Sequence, residues 1–276
     1  MSKERYKQPL QERTLSEKLL AAPRSLAWAV GAALATLVFG TLGLLVAMIL
    51  PYRRRYALFI QWSFFLLWWA RITCGIRYRV EGLENIPGKP CVVMCKHQSA
   101  WETLATQYWF TPQTWVLKRE LMHIPLIGWA LRLLAPIAID RSARKAAMQQ
   151  MLDQGRARLT DDRWVIVFPE GTRVAAGRCG RYRRGGAVLS AETGYPIVPI
   201  AHNAGEYWPR NSFLKYPGEI QVRIGVPIDP AGRDGDTLLE VVKEWIEENT
   251  RAISSVYESQ APGEKGRVRS RKDRGS

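Results

Sequence analysis

Trp164-Val-Ile-Val-Phe168 runs straight into Pro169-Glu-Gly-Thr-Arg173, and the reading of these ten residues decides the fold. The apolar run has the length and composition of a strand, and Pro-Glu-Gly is turn chemistry that ends it. Working outward, the same pattern recurs. Further strands are expected at Cys91–Cys95, Thr114–Leu117, Pro136–Ile139, Ile197–Ile200 and Ile220–Gly225. Ser142–Leu159 has helical periodicity, with Ala147, Met148, Met151, Leu152 and Leu159 near one face. Leu238–Tyr257 reads as a second helix, opened by the capping box Thr237-x-x-Glu240. Strands alternating with helices predict an α/β domain over residues 77–257, a mostly parallel central sheet flanked by helices. In such sheets chemistry sits at the ends of strands.

Upstream of this domain, Ser25–Leu50 contains no charged residue. As a helix these 26 residues reach about 39 Å at 1.5 Å per residue, more than the roughly 30 Å of a bilayer's hydrocarbon. A secretory signal is a poor fit, because Glu4, Glu12 and Glu17 precede the run and Pro51-Tyr-Arg-Arg-Arg55 follows it. A second apolar stretch, Tyr56–Ala70, holds Trp62, Phe64, Phe65, Trp68 and Trp69, and is short for a span but rich in interfacial aromatics. Basic residues flank the region on both sides, from Lys3 to Arg24 and from Arg53 to Arg79. A helical hairpin over residues 25–76, dipping into one leaflet or returning across the bilayer, keeps both groups on the cytoplasmic face better than a single anchoring span. Residues 1–24 then form a basic N-terminal segment, and the polar, basic residues 258–276 a disordered tail.

The 40 Lys+Arg exceed 25 Asp+Glu by 15, which calls for an anionic partner: nucleic acid, an anionic membrane surface or a phosphorylated substrate. Four cysteines lack the paired spacing of a zinc site, so buried free thiols are expected at Cys91 and Cys95, and no metal.

Three groups of polar residues stand at strand ends. In Lys96-His97-Gln-Ser-Ala-Trp-Glu102, Glu102 can hold one imidazole nitrogen and leave the other to take a proton from a hydroxyl. The same glutamate also completes a capping box with Ser99, a purely structural use. Glu170-Gly171-Thr172-Arg173 offers backbone N–H groups beside a guanidinium, which suits a phosphate, and Glu170 can bond a glycerol hydroxyl or orient Arg173. Ile139-Asp140-Arg141 and Lys118-Arg119 place more cations at further strand ends, and Asp140 equally fits as a helix cap. Tyr195-Pro-Ile-Val-Pro199-Ile200 reads as a wall.

His97-x4-Glu102, then Ile-Asp-Arg at 139–141, Phe-Pro-Glu-Gly-Thr-Arg at 168–173 and Pro-Ile-Val-Pro-Ile at 196–200 occur in the order of the four blocks of the glycerolipid acyltransferases. The chain resembles that family over about residues 70–230, and within it the bacterial 1-acylglycerol-3-phosphate acyltransferases. One departure is the acid, since the family pattern is usually His-x4-Asp. The resemblance implies direct acyl transfer from acyl-CoA or acyl-carrier protein to a lysophosphatidic acid hydroxyl, with no cofactor, no metal and no acyl-enzyme. It implies His97 as base, Glu102 as its orienter, and Arg173 with Arg141 at the lipid phosphate. Glu170, Gly171 and Thr172 would help position the acceptor, and Lys118 would stabilise the oxyanion. Membrane lipid, not nucleic acid, becomes the expected partner, and the cytoplasmic (inner) membrane the expected location. An acyltransferase for another lyso-lipid (a lyso-ornithine lipid, a lysophospholipid or a lipid A precursor) fits much of this. A non-enzymatic basic membrane tether fits the charge and the apolar N-terminus alone.

Overall fold

The computed structural model describes residues 13–140 and 144–257. The disordered-tail reading of residues 258–276, Arg141, and the first twelve residues of the basic N-terminal segment lie outside that range. The chain opens with helix α1 (Leu15–Ala47), which begins ten residues before the uncharged run, at a capping box of Thr14 and Glu17. Helix α2 (Tyr52–Cys74) follows after a four-residue turn and ends at Gly75, whose φ of 70° is the left-handed C-terminal stop that glycine adopts without strain. At 23 residues α2 is longer than the fifteen-residue apolar stretch implied, because the arginines at 53–55 and 71 are helical too. Both helices are long and apolar enough to cross a membrane.

The two helices are antiparallel. Trp28 Nε1 donates to Leu66 O, Trp62 Nε1 donates to Thr36 Oγ1, and Phe59 lies against Gly43. The hairpin also rests on the remainder of the chain at both of its ends. Near the open end, Ser25 Oγ accepts the backbone N–H of Lys215 at 2.9 Å and Trp28 meets Trp208 edge-on at 4.7 Å. At the closed end, the Arg163 guanidinium lies 3.5 Å over the Tyr52 ring, and Arg55 donates to Leu133 O. The hairpin therefore lies along the α/β domain instead of projecting from it. Its outer row, including Leu26, Val30, Leu34, Leu37 and Leu45, is exposed and forms an apolar face.

Seven strands form one sheet in the order β1-β7-β6-β2-β5-β3-β4. They are β1 (Ile76–Glu81), β2 (Val92–Cys95), β3 (Gln113–Lys118), β4 (Ile137–Ile139), β5 (Trp164–Val167), β6 (Ile197–His202) and β7 (Gly218–Ile224). Pairing is parallel except between β6 and β7, so the expected mostly parallel sheet is present. Strand β1 was not expected. Its alternating Ile-Arg-Tyr-Arg-Val-Glu is an edge strand, and in sequence its arginines read equally well as a membrane flank. The remaining helices are α3 (Trp101–Ala105), α4 (Ile127–Leu133), α5 (Arg144–Thr160), α6 (Gly185–Thr193) and α7 (Gly235–Ile253). Asp234 caps α7 by accepting the N–H of Thr237, three residues before the capping residue read from sequence. The Asp234 carboxylate takes up that orphan N–H, and Thr237 already sits inside the first turn.

Strand alternation divides the core. Val93, Cys95 and Ile166 pack with Leu66, Leu67 and Ala70 of α2 and Leu104 of α3. Val92, Met94, Val165 and Val167 face Met151 of α5, Leu189 of α6 and Val242 and Ile246 of α7. Cys91 shares the first face with Cys95, as alternation requires, and both thiols are buried; burial pushes the Cys91 thiol up to about 12. The central strands are thus buried on both faces, which is why they read as unbroken apolar runs.

Ser25→Ala removes the acceptor of a buried N–H, at a cost of about 1–3 kcal/mol. The expected outcome is a lower midpoint of thermal unfolding in detergent, with faster tryptic cleavage at the exposed Arg24. An unchanged midpoint and cleavage rate would show that this bond does not hold the hairpin to the domain.

Candidate active site

Strands β2, β5 and β3 are neighbours and parallel, so their C-terminal ends open on one edge of the sheet. His97 follows β2, Phe168–Arg173 follows β5 and Lys118 ends β3. The two turns after β2 and β5 are bonded to each other. The His97 N–H donates to Glu170 Oε2 at 2.8 Å, and the Val174 N–H donates to His97 O at 2.8 Å. Gly171, at φ 68°, makes the tight bend, its N–H donating to Phe168 O.

Glu102 stands in the first turn of α3 and is 1% exposed. Its Oε1 lies 2.9 Å from His97 Nδ1 and accepts the N–H groups of Gln98 and Ser99 at 2.9 and 2.8 Å. One carboxylate thus serves both readings made from sequence: it orients the imidazole and it closes the turn. The reciprocal half of the capping box is different, because Ser99 Oγ accepts from Trp101 N and not from Glu102 N. Burial pushes the Glu102 carboxyl up, but the hydrogen bonds it accepts from His97 and Ser99 favour the charged form, and the carboxyl lies below the ordinary carboxylate range. An ionised Glu102 at Nδ1 keeps the ring hydrogen there and leaves the Nε2 lone pair open. The imidazole stacks on Phe168, centroids 4.2 Å apart, so its plane is fixed from a second side.

His202, at the end of β6, is not among the candidate residues read from the sequence. Its Nδ1 accepts the Ala204 N–H and its Nε2 donates to Lys96 O at 2.8 Å, an arrangement that only the neutral Nε2–H tautomer satisfies. Burial lowers its pKa further, and its Nε2 lies 3.9 Å from Glu102 Oε2. A lone histidine in an apolar strand gives no sequence signal of this. The wall reading of residues 195–200 is also corrected: β6 pairs with β2 on the side away from β5, is buried in the sheet and does not line the cavity beside His97.

That cavity has a volume of about 590 Å³. His97, Gly171, Thr172, Arg173 and Lys118 line it together with Thr36, Phe39 and Gly40 of α1, Phe59, Trp62 and Ser63 of α2, and Leu131 and Leu134. The hairpin is therefore part of the site, a contribution that the sequence does not disclose because helical periodicity alone cannot say what an apolar face covers. Thr172 is exposed and Arg173 half-buried, and no carboxylate among the described residues pairs with the Arg173 guanidinium. The Arg173 carbonyl accepts from Arg210, which steadies the loop. Lys118 lies half-exposed at the rim, 3.3 Å from Glu120.

Glu170 is placed otherwise than expected. Its carboxylate is buried, with Oε1 2.7 Å from Lys96 Nζ and Oε2 on the His97 N–H, and it does not line the cavity where a glycerol hydroxyl would be met. Asp140 pairs with Arg119 at 2.9 Å. Among the described residues no group of three His, Cys, Asp or Glu is placed to hold a metal ion.

The acyltransferase family model matches residues 77–203, which span both turns and the His97–Glu102 dyad. A protein of Pseudomonas aeruginosa named 1-acyl-sn-glycerol-3-phosphate acyltransferase is 48% identical over 225 residues, covering 80% of this chain and 88% of its own. The mouse protein of that name, form alpha, is 33% identical over 175 residues, or 62% of this chain and 61% of its own. The crystal structure of a 1-acyl-sn-glycerophosphate (LPA) acyltransferase from Thermotoga maritima superposes with a TM-score of 0.72 at 21% identity, covering 86% of this chain and 97% of that one, a likeness of fold. On its dyad, its paired turns and its close bacterial similarity, this chain belongs to the acyltransferase family.

Proposed function

We propose that the chain transfers an acyl group from a thioester, acyl-CoA or acyl-carrier protein, to the sn-2 hydroxyl of 1-acyl-glycerol-3-phosphate, making phosphatidic acid for phospholipid synthesis. The supporting observation is the one cavity shared by a hydrogen-bonded histidine, an arginine with no acidic partner among the described residues, and apolar walls supplied by the hairpin. Its volume is in the range of small-molecule sites. The names of relatives from a bacterium and from mouse point to the same acceptor.

In this reading the acceptor hydroxyl oxygen attacks the thioester carbonyl carbon while its proton passes to His97 Nε2. Glu102, across the ring at Nδ1, stabilises the imidazolium that forms. The tetrahedral intermediate collapses to the ester and expels the thiolate, which takes the proton back and leaves as a thiol. No acyl-enzyme is needed. Arg173 receives the acceptor phosphate in a bidentate fork, and Lys118 at the rim adds a cation toward the same anionic groups or the oxyanion. Gly171 and Thr172 shape the bend that presents Arg173. Arg141 is retained as a second phosphate ligand on the sequence resemblance alone. The reaction as written uses no metal or cofactor.

Membrane association follows from the apolar hairpin and the bacterial relative. Because the hairpin touches the α/β domain at both ends, it suits burial in the leaflet on the domain's own side. The cytoplasmic face of the inner membrane, where both donors occur, is the proposed side. The basic excess then faces anionic headgroups, acceptor and donor alike.

The deciding experiment offers the purified, detergent-solubilised protein acyl-CoA with lysophosphatidic acid and its phosphate-free analogue as competing acceptors, beside His97→Ala. Wild type should form phosphatidic acid and leave the analogue almost untouched, and His97→Ala should lose about 10²–10⁴ in rate. More than a tenth of wild-type activity in that variant excludes His97 as the base; equal use of both acceptors excludes the phosphate site. Arg173→Lys should raise KM for the phosphorylated acceptor with a smaller change in kcat, since an ammonium cannot reproduce the fork. An unchanged KM removes Arg173 from acceptor binding. Ala130→Phe adds a ring to the cavity wall and should depress activity with long-chain donors more than with short ones. A uniform loss across chain lengths would place the acyl chain elsewhere.

A further inference from the structure

Lys96 stands next to the proposed base, yet its side chain is fully buried. Its ammonium donates to Glu170 Oε1 at 2.7 Å, to Glu247 Oε1 at 2.6 Å and to Arg178 O at 3.2 Å, so all three of its protons are used. Glu247 belongs to α7 on the opposite side of the sheet from the hairpin, and also accepts the Tyr182 hydroxyl at 2.8 Å. The Lys96 carbonyl in turn accepts from His202. Burial by itself lowers the Lys96 ammonium, and the two carboxylates more than reverse this, so it stays charged. A lysine taken fully out of water with two glutamates is a poor way to stabilise a core, since apolar residues of similar volume usually fold as well. What it does offer is direction. The other oxygen of the same Glu170 holds the His97 N–H, and the Val174 N–H returns to His97 O.

We propose that Lys96, held by Glu247, is a positioning residue for acyl transfer: it fixes the Glu170 carboxylate that ties the His97 turn to the Gly171–Arg173 turn, and so sets the spacing between base and anion site. Helix α7, which lies beyond the residues matched by the family model, thereby becomes part of the catalytic unit. The proposal rests on the reading of His97 as the base. A substrate bound to Arg173 and a base on the neighbouring turn react only when both are in register, and a shift of about 1 Å costs on the order of 10²-fold in rate. Loss of the tie therefore acts on kcat and leaves binding largely intact.

The test compares the full-length protein in detergent with Lys96→Met, Glu247→Gln, the double variant Lys96→Met/Glu247→Met, and His97→Ala. Lys96→Met should lose about ten- to a hundredfold in kcat with KM for each substrate within about twofold. Glu247→Gln keeps an acceptor for Lys96 and should stay within about threefold of wild type. The double variant removes the second buried carboxylate along with the ammonium and leaves Glu170 alone, so it should regain part of the thermal midpoint lost in Lys96→Met without regaining kcat. A double variant that recovers kcat along with its midpoint, or a Lys96→Met whose loss lies in KM, overturns the positioning role and leaves a structural ion pair. Should His97→Ala itself remain active, the reading of the base fails, and the failure is distinct from that of Lys96.

Discussion

A parallel strand that ends at the edge of a sheet leaves backbone groups with no ladder partner, and everything chemical in this chain depends on how two such ends are satisfied. Strands β2 and β5 are adjacent and stop together. The turn leaving β2 gives its His97 N–H to a carboxylate on the turn leaving β5, and takes an N–H from Val174 in return. Buried backbone groups must be paired. Here the pairing that satisfies them also brings the His97 imidazole and a guanidinium-bearing loop side by side. The site is a consequence of closing the sheet edge, and its geometry inherits the rigidity of two strands buried along their whole length.

Much of this was legible from residues 91–102 and 164–173, because strands buried on both faces must read as unbroken apolar runs and the turns after them are marked by Pro, Gly and charge. The dyad was legible for the same reason: a carboxylate five residues beyond a strand-end histidine falls in the first turn of the next helix. Glu170 was misread because its neighbours in sequence, Gly171 and Arg173, face the cavity. Side chains alternate around a tight bend, and nothing local says that its partner is Lys96, on the neighbouring strand's turn. Glu247 and His202 were missed on similar grounds. Each sits in an element whose pattern is accounted for by core packing, and the polar contact is made with a residue far away in the chain. The edge strand β1 was lost to a competing explanation, since arginines beside an apolar helix read equally well as a membrane flank.

The hairpin shows a different limit. Length and hydropathy identify helices that lipid can accommodate, but the pairing partner decides their role. Trp28, Trp62 and Trp69 each send an indole N–H across to the other helix, so the aromatic richness that resembles an interfacial belt is spent partly on internal bonds. Small residues at Gly31 and Gly43 admit the rings of Trp69 and Phe59. What remains exposed is the aliphatic row of α1, and that row is what a bilayer would meet.

The charge of the chain is sorted by depth. With fifteen more basic than acidic residues overall, the surroundings of His97 nonetheless hold three buried carboxylates, Glu102, Glu170 and Glu247, and the buried ammonium of Lys96 sits between two of them. The cations that face the cavity, Arg173 and Lys118, stand further out. In the proposed reaction an anionic acceptor and an anionic donor need a positive rim to approach, whereas an imidazole that is to take up a proton needs negative charge behind it. A single excess of either sign across the site would serve one requirement and defeat the other. Glu102 joins the two layers. With one oxygen on three donors it is long enough, as glutamate, to reach Nδ1 while still bonding the amides of Gln98 and Ser99, which stabilise its own charge. The departure from aspartate at this position is thus accommodated by the turn itself, which supplies the amides that a longer side chain can reach.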